Sequence, residues 1–448
     1  MISAIFERFV ETTPITVMVR AIMERIFAPE LLDKLFEEEA EQQYQRKLLF
    51  STVVGLMSLV VCGMYPSVSA AYKGFEKLVG VSKVSLYSKI NGLEPKLSQS
   101  LVRYSSEQLS VIHQEFPAGY RSILPGYEVR IIDGNHIGAT EHRLEVLRTE
   151  AAGALPGQAL VVLDPQRGLA VDVFPCEDGH AQERSLFPLV LEQVKAKEVW
   201  IADRNFCTKD FLTQIAEKKA YFVIREHKQI AWTEVTGLES IGQNDSGELF
   251  EQQVELDSGL KVRRIVIQLK NATRHGDEQV WVLTNLPKGK VDGLTVADLY
   301  LKRWQIEKLF QTITDTFQCE LKTLGYPRAA LFVFCVALLA FNILSTVRAS
   351  LKEVHGATEI DENLSDYYVV EDVQGTWRGL EIAILPEEWQ PFQGMTNIAF
   401  AQYLRQLAER VNLQRFRKSK RGPKKAKAKK NFDPNHPHVA TARLLKPK

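Results

Sequence analysis

The stretches YEVRIID, residues 127–133, and EVWIAD, residues 198–203, decide the fold, because each is a short apolar strand pattern that ends on an aspartate. We expect GNHIG, residues 134–138, to form the turn after the first of them. Further strand patterns are HRLEVL (142–147), ALVVLD (159–164), LAVDVFP (169–175) and YFVIRE (221–226). The first strands follow one another directly, whereas helical patterns separate the later ones. This order predicts an α/β fold whose mixed sheet begins as a meander and continues through helical crossovers.

The chain before this sheet is helical in pattern, and we predict an N-terminal helical domain over residues 1–120. Within it, residues 67–95 contain two short helical segments around a glycine-containing turn, an outline similar to a helix-turn-helix. The second segment carries Lys83, Tyr87 and Lys89, which would face DNA if this outline enters a groove. Helical hairpins of this kind also occur in proteins that bind no DNA, so a purely structural hairpin remains the alternative.

The chain after the first core segment, residues 121–226, changes to alternating strand patterns. LFEQQVEL, KVRRIVIQLK and QVWVLTNL predict an inserted antiparallel β subdomain over residues 227–288. The core then resumes over residues 289–350, and residues 351–448 form a C-terminal region. The apolar run AALFVFCVALLAF, residues 329–341, is too short to cross a hydrocarbon core of ~30 Å, so it predicts a buried core helix.

Charge is distributed unevenly along the chain. Residues 411–430 contain ten Lys or Arg and no acidic residue. Of the 56 basic and 55 acidic residues in all 448, the other 428 therefore hold 46 basic and 55 acidic ones, a balance of −9. A basic C-terminal tail on a mildly acidic body predicts a polyanionic partner bound through salt-sensitive contacts with phosphates. A solvated tail without a ligand is the alternative.

The cysteines and the N-terminus bear on the compartment. Five scattered cysteines without C-x-x-C spacing argue against a disulfide framework or a zinc site and favour a reducing compartment. The N-terminus MISAIFERFVETTP interrupts its apolar residues with acids and a proline, unlike a signal peptide. The phosphate-binding pattern G-x-x-x-x-G-K-[ST] is absent from the sequence. We therefore expect a cytoplasmic protein that uses neither a membrane nor ATP.

The stretch YLKRWQIEKLF, residues 300–310, places three polar side chains on one face of a predicted helix. Tyr300, Arg303 and Glu307 follow the i, i+3, i+7 spacing, and an adjoining apolar stripe predicts that the helix docks on the core by its other side. A solvent-exposed salt bridge between Arg303 and Glu307 is the simplest interpretation of this pair alone. A functional interpretation requires other carboxylates to lie nearby.

Two strand-end aspartates supply such carboxylates. Asp133 and Asp203 each emerge at the carboxyl edge of the predicted sheet, where open α/β sheets place their active sites. If their strands are neighbours, Glu307 on a helix packed across that edge completes a cluster of three acids. These acids would repel one another unless a cation lay among them, and Mg²⁺ suits oxygen-only ligands. Each aspartate alone is equally well explained as a turn or a helix cap.

The segments IIDGNHIG, WIADRNF and YLKRWQIEKLF resemble the three catalytic blocks of the IS4-type family of DDE transposases, a group that also includes the Tn5 transposase. The resemblance extends over most of the chain and includes RGPKK and HVATARLL near its end. It implies an RNase H-like mixed sheet core with a β insert before the last acid. It also implies that Asp133, Asp203 and Glu307 are the catalytic residues and bind two divalent ions, Mg²⁺ or Mn²⁺.

The same resemblance implies DNA contacts around these acids. Tyr300 and Arg303 belong to the family signature Y-x2-R-x3-E-x6-K and would contact the DNA backbone. The lysine of that signature is replaced here by Thr314, which offers no charge. Lys308 and Lys322 are candidate substitutes, although Lys308 points about 100° away from Glu307 around the helix.

Further DNA-binding candidates lie beside the acids and in the insert. His136 follows Asp133 by three residues and is a candidate for positioning a nucleophilic oxygen, while a structural histidine is the alternative. Arg204 and Asn205 adjoin Asp203 and are candidates for a phosphate contact. Trp281, in the predicted insert, is a candidate for stacking on a flipped base, while a core tryptophan is the alternative.

The function implied is cut-and-paste DNA transposition by an insertion sequence: hydrolysis at terminal inverted repeats, then strand transfer into target DNA. The partners would be double-stranded DNA and a second copy of the chain in a homodimer, in the bacterial cytoplasm at the nucleoid. Two alternatives are a stand-alone RNase H-like nuclease and a catalytically inactive, domesticated DNA-binding protein.

Overall fold

Strands from the whole middle of the chain build one large mixed sheet in the computed structural model, which describes residues 3–117, 122–138, 144, 146, 153–272, 276–419 and 438–445. The strands are β1 Glu128–Ile137, β2 Gly153–Leu155, β3 Gly157–Asp164, β4 Leu169–Cys176, β5 Glu198–Ala202, β6 Tyr221–Arg225, β7 Trp232–Glu234, β8 Glu239–Gln243, β9 Gly247–Leu256, β10 Lys261–Leu269, β11 Gln279–Thr284 and β12 His438–Ala440. The sheet order is β4-β3-β1-β5-β6-β11-β10-β9-β7, with β8 paired to β9. The chain is therefore a mixed α/β protein.

Helices precede, cross and follow this sheet. They are α1 Ala4–Thr12, α2 Pro14–Ile26, α3 Pro29–Glu39, α4 Phe50–Val61, α5 Val68–Gly74, α6 Glu76–Val79, α7 Lys83–Gly92, α8 Pro95–His113, α9 Phe187–Gln193, α10 Lys209–Glu217, α11 Gly293–Leu301, α12 Trp304–Thr316, α13 Pro327–His355, α14 Ala357–Asn363, α15 Asp366–Ala383, α16 Asn397–Glu409 and α17 Thr441–Leu444. Strands β3 and β4 pair antiparallel as a meander, and β1, β5 and β6 pair parallel through helical crossovers. The predicted order of meander and crossovers is confirmed.

Strand β1 is longer than the sequence predicts. Residues 134–137 do not form a turn but pair antiparallel with β3, from Gly134 opposite Leu160 to Ile137 opposite Gly157. The prediction of a turn at GNHIG was wrong, because the ladder with β3 satisfies the backbone N–H and C=O groups that a turn would otherwise leave unpaired. The predicted strand HRLEVL, residues 142–147, lies mostly outside the described residues.

The strands of the predicted β insert extend the main sheet. Strand β11 pairs antiparallel with β6, and β10 and β9 follow it in the same sheet. The three predicted strands correspond to β9, β10 and β11, and two short strands, β7 and β8, pair with β9 in addition. The limits of a separate β subdomain, like the other domain boundaries, stay a prediction.

Alternating residues of β1 face two different cores. Val129, Ile131 and Ile137 join the larger core, to which α8, α12 and α13 also contribute. Ile132 faces a smaller core, which includes Trp200 of β5 and the first residues of α9. The two faces follow from the two-residue period of a strand, and they determine on which side of the sheet each polar side chain of β1 emerges.

Helix α13 runs through the larger core. Over 29 residues it is long and apolar enough, by length and composition, to cross a membrane, but 94% of its most apolar 18-residue window is buried inside the protein. Its buried Asn342 donates to Ser105 Oγ and exchanges hydrogen bonds with both backbone groups of Ala170. This single amide ties α13 to α8 and to β4, as expected for a core helix.

The helix predicted over residues 300–310 is divided between two helices. Helix α11 ends at Leu301 and α12 begins at Trp304, with Arg303 at the junction. The N–H groups of Lys302 and Arg303 donate to carbonyls three residues back, Leu299 and Tyr300. Such tight bonds turn the backbone out of α-helical register. The prediction that Tyr300 and Glu307 share one continuous helix was therefore wrong.

The last described segment forms a separate two-stranded sheet with β2. Strand β12 pairs parallel with β2, and Arg443 of α17 donates to both carboxylate oxygens of Asp178, at 3.1 and 2.8 Å. Most of the predicted basic tail lies in residues 420–437, outside the described residues.

A buried ion pair links the later strands to the segment that precedes α11. Arg263 on β10 donates to Glu251 on β9 at 2.9 and 3.2 Å and to the carbonyls of Leu286 and Val291. Both side chains are at least 95% buried. We predict that Glu251→Gln lowers the free energy of unfolding by about 3 kcal/mol, because it leaves a buried guanidinium without its counter-charge. Urea unfolding measures this loss. The exposed Glu248→Gln on the same strand is the control, and equal midpoints for the two variants would contradict the prediction.

Candidate active site

Two aspartates lie at the same level on neighbouring strands. The last β1–β5 pair is Ile131 opposite Ile201, so Asp133 and Asp203 each follow this pair by two residues. Neighbouring strands lie about 4.8 Å apart. The two side chains face the same side of the sheet by strand alternation, and the negative charge of Asp203 acts on Asp133. The condition for a carboxylate cluster, that the two strands are neighbours, is met.

The carboxyl of Asp133 is the most perturbed group of this site. Its Oδ1 accepts a hydrogen bond from the N–H of Gly134 at 2.9 Å, and its Oδ2 lies 3.4 Å from Nη1 of Arg303. Burial, followed by repulsion from Asp203, raises its pKa to about 7, against the lowering effects of the Gly134 N–H and Arg303. Burial therefore contributes more to this raised pKa than the charge of Asp203 does.

Asp203 begins a short turn at the end of β5. It is the N-cap of a single 3-10 turn, Arg204–Phe206, and its Oδ1 accepts a hydrogen bond from the N–H of Asn205 at 2.8 Å. A side chain that caps the turn following its own strand has little rotational freedom. Asp203 thus caps the turn that follows its strand and is at the same time a residue of the site.

Glu307 reaches the same edge from the first turn of α12. Its Oε1 accepts a hydrogen bond from Nη2 of Arg303 at 2.6 Å. Arg303 thus bridges Glu307 and Asp133, which are 174 residues apart in the chain, with its side chain 14% exposed. The Arg303–Glu307 pair is not a solvent-exposed salt bridge, because a third residue from another element shares it.

Tyr300 supports Arg303 from the end of α11. Burial raises the pKa of the Tyr300 hydroxyl, while hydrogen bonding and the charge of Arg303 lower it. The guanidinium also lies 5.4 Å from the ring centroid of the exposed Trp304. Tyr300, in α11, and Arg303, at the junction between α11 and α12, therefore meet at the site.

A fourth carboxylate, Glu183, lies beside the site, and the sequence analysis missed it. Glu183 begins the 3-10 turn Glu183–Leu186 before α9, its Oε2 accepts a hydrogen bond from Nδ2 of Asn205, and its charge acts on Asp133. In the sequence, it reads as an ordinary acidic residue at the start of a helical segment. No local sequence signal marks it, because the space that it occupies is provided by Gly134, a residue remote from it in the chain.

The residues beside the aspartates are divided between the two faces of the sheet. Asn205 lies at the site through its bonds to Asp203 and Glu183. Arg204 is exposed at the rim. His136 lies three residues after Asp133 within strand β1, so alternation directs it to the opposite face. The structure thus does not bring His136 next to Asp133, and the reason is the extension of β1.

Trp281 lies on β11 under a stacked arginine. The guanidinium of Arg264 lies 3.6 Å from the ring centroid of Trp281 and 4.6 Å from that of Trp232. Arg264 and Trp232 both donate to Glu226. Trp281 is therefore part of a partly buried polar and aromatic cluster rather than of the apolar core.

The remaining predicted DNA contacts lie on α7 and α12. Lys83, the first residue of α7, is exposed, and Tyr87 is partly buried. Lys89 donates to the carbonyl of Tyr44 at 3.2 Å, and its ammonium lies 4.2 Å from the ring centroid of Phe36. On α12, Lys308 and Thr314 are exposed, and the hydroxyl of Thr314 bonds to the helix carbonyl of Phe310 at 2.8 Å.

The donor chemistry of the site fits a hard divalent cation. Asp133, Asp203 and Glu307 offer only carboxylate oxygens, the ligands that Mg²⁺ prefers. The pKa of Asp133 is raised by burial first and by repulsion from Asp203 second, and a cation beside the two carboxylates would offset the repulsion. Within the described ranges, no group of three His, Cys, Asp or Glu side chains is arranged to hold a metal ion. Arg303 instead supplies the positive charge between Asp133 and Glu307.

The comparison with known proteins finds a family match over the part of the chain that contains these acids. Residues 124–343 match the family model described as the transposase DDE domain, a segment that contains all three acids and Arg303. This match supports a DDE transposase. The chain is also similar to the cryo-EM structure of the piggyBac transposase synaptic complex with hairpin DNA. The similar region covers 88% of this chain and 86% of that chain, with 11% sequence identity and a TM-score of 0.39. No curated protein shows significant similarity to the chain.

The raised pKa of Asp133 predicts a pH-dependent cost to stability. In the unfolded chain this carboxyl ionises near 3.8, and in the folded protein near 7. Between these values the folded state binds more protons, so the free energy of unfolding falls as pH rises, and the cost is complete above about pH 7. We predict that Asp133→Asn stabilises the protein by ~1–4 kcal/mol at about pH 8 and gives no such gain at about pH 4.

Urea unfolding in EDTA at both pH values measures this difference. Asp257→Asn, at an exposed position, is the matched control and should shift neither midpoint. An equal effect of Asp133→Asn at the two pH values would contradict the assignment of a buried, repelled carboxylate.

Proposed function

We propose that this protein is the DDE transposase of an insertion sequence, of the IS4 type, that moves DNA by a cut-and-paste mechanism. Terminal inverted repeats are hydrolysed at their ends, and the freed 3′ hydroxyls then attack target DNA. The observation that carries the proposal is the meeting of Asp133 and Glu307 on one guanidinium, with Asp203 level with Asp133 on the next strand. All of them lie within the segment that matches the transposase DDE domain.

The order of the sheet supports an RNase H-like core. The strands β4-β3-β1-β5-β6 form an antiparallel meander next to parallel crossovers, and the remaining strands continue from β6 as the inserted part. In such a sheet the carboxyl edge of the central strands is the expected active site. Asp203 follows the last residue of β5, and Asp133 lies level with it on β1, which continues beyond Asp133 along β3.

The three acids would hold the catalytic cations. Asp133, Asp203 and Glu307 would bind two Mg²⁺ ions, with Mn²⁺ as a substitute. When bound, these ions would activate the attacking oxygen and stabilise the leaving oxygen at a phosphodiester. The chain itself holds Asp203 by its cap on Asn205, and it keeps Asp133 poised to lose its proton near neutral pH. Because its pKa is raised, the carboxyl of Asp133 would release a proton when a cation binds beside it.

Arg303 would bind a DNA phosphate beside the scissile bond. Its planar guanidinium now pairs with Asp133 and Glu307, and the same fork geometry suits two phosphate oxygens. The nearby carboxylates and Tyr300 outweigh burial and raise the pKa of Arg303, which keeps the group charged. Tyr300, packed against it, would share the backbone contact.

Further DNA contacts are proposed around this centre. Arg204 and Lys308 are exposed cations close in sequence to Asp203 and Glu307, and they suit phosphates on either side of the cut. Asn205, beside Asp203, is a further candidate. His136, on the opposite face of β1, and Trp281, under Arg264, are proposed as DNA contacts away from the acids. In the N-terminal helices, Lys83, Tyr87 and Lys89 on α7 would read or hold the element end. The working form would be a homodimer that joins two DNA ends in the bacterial cytoplasm at the nucleoid.

The first prediction concerns the acids. Asp203→Ala and Glu307→Ala should each reduce excision of a plasmid-borne element by about 1,000-fold or more, equivalent to about 4 kcal/mol of transition-state stabilisation. DNA binding, measured by fluorescence anisotropy, should persist. Asp315→Ala, at an exposed position on the same helix α12, is the control. Retained cleavage in either acid variant would remove the mechanism.

The same assay separates the transposase from a stand-alone nuclease. Purified protein should cleave duplexes that carry the element's terminal repeats and leave random duplexes of equal length intact. Equal cleavage of both substrates would favour the nuclease. Specific binding without any cleavage would favour the inactive DNA-binding protein.

The second prediction concerns position 314, where a lysine is expected. Thr314 is exposed on α12, so Thr314→Lys should add one phosphate contact without disturbing the core. The slope of log Kd against log salt should change by about 0.9, the value for one more neutralised phosphate. Thr314→Gln, of similar length but uncharged, is the control. Identical slopes for the lysine and glutamine variants would contradict a DNA path along this face.

A further inference from the structure

We infer that Glu183 is a positioning residue of the proposed active site, which holds Asn205 and through it the turn that presents Asp203. The inference rests on the proposed function for its catalytic consequence and on the described contacts for its geometry. The family match covers the segment that contains Glu183 without assigning it a role.

Asn205 is bound at three points. Its Nδ2 donates to Oε2 of Glu183, and its carbonyl accepts from Nε of the neighbouring Arg184 at 3.1 Å. Its own N–H donates to Oδ1 of Asp203 at 2.8 Å. Glu183 and Arg184 are consecutive residues of one 3-10 turn. They therefore hold Asn205, in the other 3-10 turn, by its side chain and its backbone carbonyl. Because Asn205 also binds Asp203, the orientation of Asp203 depends on both Glu183 and Arg184.

Gly134 creates the space that Glu183 occupies. A Cβ at position 134 would lie 2.0 Å from Oε1 of Glu183, closer than any contact that Cβ atoms make. Strand alternation directs that Cβ to the face opposite Asp133. Glu183 thus approaches β1 on the face opposite Asp133. The approach is at Gly134, the residue that follows Asp133 in the chain. A glycine at this position is required for the close approach, not for an unusual backbone angle.

The segment before Glu183 is fixed to the sheet. Nε2 of Gln158 on β3 donates to the carbonyls of Asp178 and Ala181, at 3.4 and 2.5 Å. Arg443, near the C-terminus, donates to the carboxylate of Asp178. The carboxylate of Glu183 therefore projects from an anchored segment. This rigidity is what a positioning residue requires.

An acceptor oxygen at position 183 is the property that matters for this role. The Asn205 amide needs a hydrogen-bond acceptor. The substitution Glu183→Gln would keep a side-chain oxygen in the same place, whereas Glu183→Ala would remove it. In this respect Glu183 differs from the three proposed catalytic acids, whose charge is essential. The two variants therefore separate a positioning role from a role in binding a cation.

The kinetic experiment compares these variants in the full-length protein. Glu183→Ala should lower the single-turnover rate of end cleavage by about 10–100-fold, as loss of an orienting residue does, with the Kd for end DNA unchanged. Glu183→Gln should retain the rate within about threefold. Asn205→Ala should reproduce the defect, and the double variant should be no slower than the worse single variant. Glu177→Ala, which removes an ion pair with Arg328 in the segment before Glu183, is the control.

Hydrogen exchange tests the geometry without reference to activity. Amides of residues 203–207 should exchange faster in Glu183→Ala than in the parent, and at the parental rate in Glu183→Gln. If the parent fails to cleave DNA, the proposed function fails, and hydrogen exchange alone decides whether Glu183 holds the turn. Parental exchange in Glu183→Ala overturns the inference. So does a glutamine variant as slow as the alanine variant, or a double variant whose defect is the product of the two single ones.

Discussion

The parallel pairing of β1 with β5 is the constraint on which the rest of the structure depends. Because Ile131 pairs with Ile201, Asp133 and Asp203 lie level on neighbouring strands and face the same side. A shift of the register by one residue would direct one of the two aspartates to the opposite face. The sequence supports this pairing with buried β-branched residues on both strands, among them Val129 and Val199. The large core under the sheet therefore also fixes the separation of two repelling charges.

Arg303 is the counterpart of that repulsion. Its guanidinium contacts Asp133 and Glu307, and it lies at the break between α11 and α12, where the chain leaves one helix axis for another. A buried cation between two acids holds them together at the cost of its own desolvation. Arg303 therefore joins two of the three acids, Asp133 and Glu307. Under the proposed function, the carboxylates would bind a divalent ion and Arg303 would bind a DNA phosphate.

Much of this arrangement could be predicted from the sequence, and the failures have physical reasons. Apolar runs ending on Asp133 and Asp203 indicated the sheet edge, since strand patterns are local. The continuation of β1 was missed because residues 134–137 are mostly polar, and only their pairing with β3 makes them a strand. The helix break at Arg303 has no glycine or proline to mark it. Glu183 was missed because its role arises from a contact across the sheet with Gly134 and Asn205, which no spacing rule encodes.

The most direct test is a crystal structure of the protein with an end-DNA duplex and Mn²⁺, with anomalous diffraction collected to locate the manganese. The account predicts anomalous peaks within coordination distance of the carboxylates of Asp133, Asp203 and Glu307, at about 2.2 Å, with the guanidinium of Arg303 on a DNA phosphate. Manganese bound elsewhere while these three carboxylates keep Arg303 as their only cation, with the DNA end seated at the sheet edge, would contradict it.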